Sequence, residues 1–118
     1  MRTIVVLALL LCGFAGQAEA ACWVPRFKIT WDVQNEASMS LDGGSCRVRV
    51  DRTYGTTEVH SVGVAAAARS GSTTVSGLDV IYRPRTGFKG NDSFVFALNG
   101  RRAGVTTHAT VGVNVTVR

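Results

Sequence analysis

The C-terminal residues 105–117 alternate between apolar and polar side chains without interruption. Valine or alanine occupies most odd positions, and threonine, histidine, glycine or asparagine occupies the even ones. A period of two is typical of a strand with one buried and one exposed face. At about 3.3 Å per residue the segment would extend over roughly 40 Å, so we expect a bend or bulge near Gly112. The pattern commits this part of the chain to a β-sheet.

Shorter strand patterns precede this segment. Phe27–Val33 alternates in the same way and predicts a half-buried strand. The turn signal Asp42-Gly43-Gly44 predicts a hairpin between its two flanking segments, 37–41 and 46–50. Further short strands are expected at residues 73–76, 80–82 and 93–98, with a closing turn at 99–104.

Residues 59–68 allow two interpretations. Four consecutive alanines, Ala65–Ala68, favour a helix, whereas Val62 and Val64 are β-branched and the next strand follows closely. We favour a strand. Turn signals at a spacing of roughly 8–12 residues and the lack of a convincing helical period predict an all-β fold, a β-sandwich of six to eight antiparallel strands.

The N-terminus has the features of a secretory signal peptide. Arg2 precedes the apolar run Ile4–Leu11, and Ala18-Glu19-Ala20 is a small-x-small cleavage site. The run is shorter than the roughly 20 residues that span a bilayer, although a retained N-terminal anchor is the alternative. We expect residues 1–20 to be removed and residues 21–118 to form one exported domain, periplasmic or secreted, with no transmembrane segment.

Three cysteines are present, and Cys12 lies in the predicted signal peptide. Cys22 and Cys46 remain as a pair in an exported chain, which predicts a disulfide. It would close a loop of about 25 residues, worth about 3 kcal/mol in the chain-entropy treatment. The alternative is a lipoprotein signal with Cys22 acylated, but Glu19 stands where such signals carry leucine.

The stretch Tyr82–Phe96 follows the pattern Tyr-x-Pro-x-x-Gly-Phe-x-Gly-x-Asp-x-Phe-x-Phe. It resembles the repeat signature of bacterial Ig-like and cadherin-like domains, which occur in tandem in large surface and secreted proteins. Roughly residues 75–117 take part in the resemblance, which implies an Ig-like β-sandwich. The matching positions are Tyr82, Pro84, Gly87, Phe88, Gly90, Asp92, Phe94 and Phe96.

Physical chemistry gives these residues structural roles. Tyr82 ends a strand, and Pro84 stops the hydrogen-bond ladder because it has no N–H. Glycines at 87 and 90 suit positive φ in a chain reversal. Asp92 is expected to accept hydrogen bonds from nearby backbone N–H groups and so fix the loop. Phe88 would cover the end of the core, and Phe94 and Phe96 would return to it.

The resemblance also implies two properties that this sequence does not support. Tandem members often bind calcium through clustered acidic residues at domain junctions, but the acids here are dispersed and form no Asp-x-Asp pair. We therefore expect no calcium site and no other metal or cofactor. A single domain following the signal peptide also argues against a role as a spacer in a stalk.

Catalytic constellations find little support in the sequence. His60 and His108 are the only histidines, and no serine lies in a Gly-x-Ser-x-Gly elbow. Two histidines without free thiols fall short of a four-coordinate zinc set. We expect no enzymatic activity and keep a hydrolase with an unrecognised site as a remote alternative.

The net charge of +5 comes mostly from arginine. Should the cations converge, they would bind phosphate, carboxylate or sulfate groups. Otherwise they are solvated charges that protect strand edges from pairing. Aromatic residues do not interleave with them, so no nucleic-acid partner is expected. The candidate anion-binding residues are Arg47, Arg49, Arg83, Arg85, Lys89, Arg101 and Arg102.

Two non-enzymatic functions follow from these observations. The first is a small exported Ig-like interaction module of the bacterial envelope that binds an unknown protein or glycan. The second is a binder of anionic envelope polysaccharide, or another polyanion, through its arginine-rich faces. Trp31 belongs to an apolar series and is expected in the core, whereas Trp23 is a candidate exposed binding aromatic.

Overall fold

A computed structural model describes residues 21–118, and this part of the chain forms nine strands and no helix. The predicted signal peptide, including Cys12, lies outside the described residues. No described segment is a helix of the length and apolarity that a membrane crossing requires. The strands are β1 (Cys22–Trp23), β2 (Gln34–Leu41), β3 (Cys46–Val48), β4 (Thr53–Tyr54), β5 (Thr57–Ala66), β6 (Gly71–Ser76), β7 (Asp79–Pro84), β8 (Gly90–Arg102) and β9 (Val105–Val117).

The strands form two sheets, as the all-β sandwich prediction required. Sheet A has the order β1-β2-β9-β8-β5-β4, and sheet B has the order β3-β7-β6. The predicted six to eight strands become nine, because the short strands β1 and β4 pair at the edges of sheet A. The prediction that all strands pair antiparallel is wrong for one pair, since β2 runs parallel to β9 from Gln34↔Thr110 to Leu41↔Val117.

The core lies between the two sheets and is built from the alternating positions of their strands. Sheet A contributes Phe94 and Phe96 from β8 together with four valines of β9, and sheet B contributes Val80 and Tyr82. The four valines are Val111, Val113, Val115 and Val117. The rings of Tyr82 and Phe94 stack across the layers with their centroids 5.8 Å apart. Aromatic pairs at this separation add to the stability gained from burying apolar surface.

The strand predicted at residues 105–117 is confirmed over its whole length. Its pairing with β8 stays in register from Gly90↔Val117 to Arg102↔Val105, so the bulge expected near Gly112 does not form. Gly112 is buried because the side chains of Gln34 and Glu36 on β2 lie over it, 3.2 and 3.1 Å from the position of a Cβ atom. The glycine therefore makes room for polar side chains of the neighbouring strand.

The turn expected at residues 99–104 is shorter than predicted. β8 continues to Arg102, and only Ala103 and Gly104 join it to β9, with φ of 49° and 79°. Two successive positive φ values are typical of the type I′ turn that closes tight hairpins. The interpretation of residues 59–68 as a strand is also confirmed, as β5, with register shifts against β8 between Val59 and Ser61 and between Val64 and Ala66.

The strand predicted at Phe27–Val33 is wrong. Phe27, Ile29 and Trp31 do pack against the core, and the residues between them are exposed, as the alternation predicted. Val33, the last apolar residue of the series, is 51% exposed. However, residues 24–30 join no ladder, and a turn at Trp31 and Asp32 separates them from β2. Alternation reports which side chains are buried, and it does not report whether the backbone is paired.

The hairpin predicted between residues 37–41 and 46–50 is also wrong. Ala37, Met39 and Leu41 face the core from sheet A, whereas Cys46 and Val48 face it from sheet B. The chain reverses at Asp42-Gly43-Gly44 as the turn signal indicated, but it crosses from one layer to the other. The predicted disulfide between Cys22 and Cys46 is present and joins β1 of sheet A to β3 of sheet B.

Candidate binding site

The stretch Tyr82–Phe96 contains the expected strand end and chain reversal, but the prediction that Tyr82 ends the strand is wrong by two residues. β7 runs past Tyr82 to Pro84, and the reversal that follows contains Gly87 and Gly90 with φ of 81° and 133°. Phe88 is half-buried against the core. The guanidinium carbon of Arg85 lies 5.7 Å from the centroid of the Phe88 ring, a distance at which the cation is attracted to the aromatic face.

Asp92 is the hydrogen-bonding centre of this stretch. Its carboxylate accepts the backbone N–H groups of Arg69, Ser70 and Ser93 at 3.1, 3.0 and 2.9 Å, and the hydroxyl of Tyr82 at 2.9 Å. Burial alone would raise the pKa of Asp92, but these four hydrogen bonds outweigh it and hold the pKa below its ordinary value. The prediction that Asp92 fixes the loop is confirmed.

A depression with a volume of about 720 Å³ lies between the N-terminal segment and the edge of sheet B. Trp23 stands at its rim with 64% of its surface exposed. Arg47 pairs with Asp79 at 2.8 Å, so its charge is partly neutralised. We call this depression the N-terminal groove; the lining residues considered below are Trp23, Arg26, Phe27, Arg47, Arg49 and Tyr54.

The groove combines aromatic surface with positive charge. Within residues 21–118 the only ion pair is that of Arg47, so Arg26 and Arg49 face solvent without a carboxylate partner. Asp51 also lines the groove, and its backbone N–H donates to the Tyr54 hydroxyl at 3.0 Å. Burial raises the pKa of Tyr54, which keeps this hydroxyl neutral at ordinary pH.

A second, smaller depression of about 460 Å³ lies where β6 and β7 approach the turn at residues 85–89. Three arginines line it, and none of them belongs to an ion pair in the described part of the chain. The backbone N–H of Arg85 donates to the carbonyl of Ser70 at 2.8 Å, which ties the two walls together. We call it the arginine pocket; its residues are Arg69, Arg83 and Arg85, with Ser70, Ser72 and Thr86.

The structure divides the seven candidate anion-binding residues among separate places. Arg47 and Arg49 line the N-terminal groove, and Arg83 and Arg85 line the arginine pocket. Lys89 is exposed in the turn after β7 and does not line the pocket. Arg101 and Arg102 end β8, about 40 Å along the strand from Gly90. The seven residues thus form no single cationic face.

The two histidines are exposed and lie apart from both depressions. His108 Nδ1 is 2.5 Å from the side-chain oxygen of Asn99, an amide partner in place of the carboxylate that a catalytic triad requires. Among the described residues no three His, Cys, Asp or Glu side chains cluster closely enough to hold a metal ion.

Sequence reasoning missed several residues that shape these sites. Neither Arg26 nor Tyr54 was a candidate, although Arg26 directly precedes the predicted strand Phe27–Val33. Arg69 directly precedes Ser70-Gly71-Ser72, residue types that favour surface turns, and this signal could have placed its charge at the surface. Trp31 packs against the core but stays half-exposed, and Trp23 is exposed as anticipated.

Comparison of the sequence and structure with family models, characterised proteins and solved structures finds no significant match in any of the three.

Proposed function

We propose that the protein is a small exported, non-enzymatic Ig-like binding module of the bacterial envelope. The strand order supports the Ig-like assignment. Sheet B, β3-β7-β6, corresponds to strands B-E-D of an Ig sandwich, and β5-β8-β9 corresponds to strands C-F-G. The first long strand departs from the constant-type arrangement, because β2 lies beside β9 and not beside β3.

The N-terminal groove is the proposed binding surface, and the exposed Trp23 at its rim carries the proposal. Large aromatic residues and arginine are enriched at the energetic centres of protein interfaces. A tryptophan with 64% of its surface exposed, beside two arginines without carboxylate partners, combines both features. The exposed Trp23 ring contributes little to the packing of the domain itself, so a partner that covers it would account for its position.

The partner that best fits the groove is an extended protein segment carrying acidic side chains. β3 pairs with β7 along one edge only, so its other edge faces the groove. An extended segment can add to such an edge through main-chain hydrogen bonds, with side-chain contacts supplying specificity. Arg26 and Arg49 would pair with carboxylates of the segment, and Trp23 and Phe27 would cover its apolar positions.

Site-specific crosslinking tests this proposal. A photoreactive phenylalanine analogue at position 23 should capture one protein from the organism's own envelope fraction, and Arg49→Glu should reduce that capture. The matched control is position 105, where Val105 is 63% exposed at the far hairpin. Equal capture from positions 23 and 105, or capture unaffected by Arg49→Glu, would remove the groove from consideration.

A second candidate function is the binding of anionic envelope polysaccharide through arginine-rich faces. The observation that favours it is the set of arginines without carboxylate partners among the described residues, in a chain of net charge +5. Binding of this kind would weaken steeply with added salt. It should be lost when Arg83, Arg85 and Lys89 are replaced by alanine, whereas recovery of one stoichiometric protein partner in place of polymer would contradict it.

A further inference from the structure

We infer that the arginine pocket is a site for a single tetrahedral dianion, a phosphate or phosphate monoester group. This inference specifies the ligand group of the anionic-polymer candidate and rests on that candidate only for the sign of the charge. It is independent of the N-terminal groove. A free ion and a polymer are measured separately, so the failure of one is distinguishable from the failure of the other.

The arginine pocket has a local excess of positive charge. Arg69, Arg83 and Arg85 line one depression, and no carboxylate lies within 4.0 Å of their guanidinium groups in the described part of the chain. Arginine is always charged at physiological pH and offers forked N–H donors that match the oxygens of phosphate. Three such groups facing solvent together leave a local excess of positive charge that a dianion neutralises best.

The pocket also contains hydroxyl groups that can donate hydrogen bonds to an anion. Ser70, Ser72 and Thr86 line the same depression. Ser72 lies opposite Arg83 in the β6–β7 ladder, so its side chain projects from the same face of sheet B as the guanidinium. Hydroxyls donate to phosphate oxygens that the arginines leave free.

The pocket is held in place by residues of the Tyr82–Phe96 stretch. Asp92 fixes the backbone of Arg69 and Ser70 by accepting both N–H groups, at 3.1 and 3.0 Å. The Phe88 ring lies under the guanidinium of Arg85. The Asp92 carboxylate accepts hydrogen bonds from these N–H groups and from Tyr82, and it forms no ion pair with an arginine side chain. It therefore organises the pocket without neutralising its charge. A preorganised site loses less side-chain entropy when the ligand binds.

Chemical-shift titration of the isotope-labelled mature domain with inorganic phosphate and with glycerol phosphate tests the inference. The backbone amides of Ser70, Ser72 and Thr86 should shift. Arg83→Ala and Arg85→Ala should each weaken binding about tenfold, because each removes a charge-assisted contact. Arg101→Ala is the matched control, since it removes the same charge at the far end of β8. Equal weakening by all three variants would show that binding depends on the net charge of the domain and not on this pocket, and would overturn the inference.

The pH dependence separates a dianion site from a general anion site. A phosphate monoester loses its second proton near pH 6, so its binding should strengthen between pH 5 and 7. Sulfate is doubly charged throughout this range and should show no such change. The titratable groups next to the pocket are Asp92, Tyr82 and Lys89. The pKa of Asp92 is lowered and the pKa of Tyr82 is raised, so neither group changes its charge state between pH 5 and 7. Acetate binding as tightly as phosphate at pH 7 would overturn the inference.

A second variant guards against loss of folding. Phe88→Leu keeps all three arginines and an apolar side chain at the end of the core but removes the ring beneath Arg85. We expect a several-fold weaker affinity for inorganic phosphate with the β-sheet circular dichroism unchanged. Wild-type affinity in this folded variant would show that Arg85 is not positioned by Phe88 and would contradict the preorganised site. Linear polyphosphate, measured beside the free ion, shows whether the bound group comes from a polymer.

Discussion

The hydroxyl of Tyr82 donates a hydrogen bond of 2.9 Å to the carboxylate of Asp92, and this bond joins the two sheets of the sandwich. Tyr82 belongs to β7 of sheet B and Asp92 to β8 of sheet A. The same carboxylate accepts two N–H groups from the connection between β5 and β6. Asp92 therefore links three parts of the chain that are distant in sequence.

Removing this bond should destabilise the fold measurably. Tyr82→Phe keeps the ring stacked on Phe94 but leaves the carboxylate without its hydroxyl donor, and we expect a loss of about 1.5–3 kcal/mol of unfolding free energy. Urea denaturation measures it. Asp42→Asn, at an exposed carboxylate, is the control and should stay within about 0.5 kcal/mol. A Tyr82→Phe variant as stable as the control would mean that the inter-sheet bond contributes nothing.

The lowered pKa of Asp92 predicts a loss of stability in acid. The folded state holds this proton less tightly than the unfolded chain, so the contribution is present above about pH 4 and is lost as the pH falls through the folded pKa. Denaturation midpoints between pH 2 and 7 test this expectation. Asp92→Asn should be less stable than the wild type at pH 7 and should show a flatter acid limb. An unchanged acid limb would assign the loss to other carboxylates.

The raised pKa of Tyr82 predicts a loss of stability at alkaline pH. Burial first, and then the hydrogen bond and charge of Asp92, favour the neutral phenol in the folded state. This contribution is fully present below about pH 10, the ordinary tyrosine value, and declines as the pH rises above it. Tyr82→Phe should therefore retain more of its neutral-pH stability at pH 11 than the wild type does. A parallel decline of the two proteins would contradict the assignment.

Two glycines in paired strands should respond differently to alanine. A Cβ atom at Gly100 would lie 2.5 Å from the carbonyl oxygen of Glu58 and 3.1 Å from the Trp31 ring, whereas one at Gly63 would meet nothing within 4 Å. We expect Gly100→Ala to cost about 1–3 kcal/mol through overpacking. Gly63→Ala, the control, should be neutral or slightly stabilising. Thermal unfolding distinguishes them, and equal melting temperatures would contradict the close packing at Gly100.

Asn35 is a buried amide whose removal should be costly. It is 8% exposed, accepts the N–H of Thr30 at 2.7 Å, and donates to the carbonyls of Thr30 and Thr110 at 2.9 and 3.2 Å. Asn35→Ala would leave these backbone groups unpaired, and we expect a loss of about 2–4 kcal/mol. Asn114→Ala, on the exposed face of β9, is the matched control. Hydrogen exchange should locate the lost protection at the turn before β2.

The sequence predicted the parts of the fold in which one rule decides the outcome. Alternation identified β9 because its two faces differ at nearly every position. The pattern around Asp92 identified a tightly fixed turn because glycine, proline and a short acid each have a strong local preference. Alternation could not predict that residues 27–30 would join no sheet, because burial of alternate side chains is compatible with any extended backbone.

The pairing partners and the sites required information that local patterns do not carry. Asp42-Gly43-Gly44 specifies a reversal, but which sheet receives the returning chain depends on the whole core. The candidate arginines were identified one by one, whereas their grouping follows from topology: Arg69 joins Arg83 and Arg85 because β6 lies beside β7. The N-terminal groove likewise arises from the packing of residues 22–27 beside an edge strand that sequence alone placed in a hairpin.

The pairing of β2 with both β1 and β9 brings the two ends of the described chain to the same corner. Leu41 lies opposite Cys22 on one side and beside Val117 on the other, so these two residues are about 10 Å apart, two strand spacings. Any polypeptide attached before Cys22 and after Val117 would leave in close proximity, and the domain would add almost no length between them. The domain would therefore project sideways from its attachment point, with the β8–β9 hairpin at the end farthest from it. The same closeness makes a short linker from residue 118 to residue 21 a feasible route to a circular permutant.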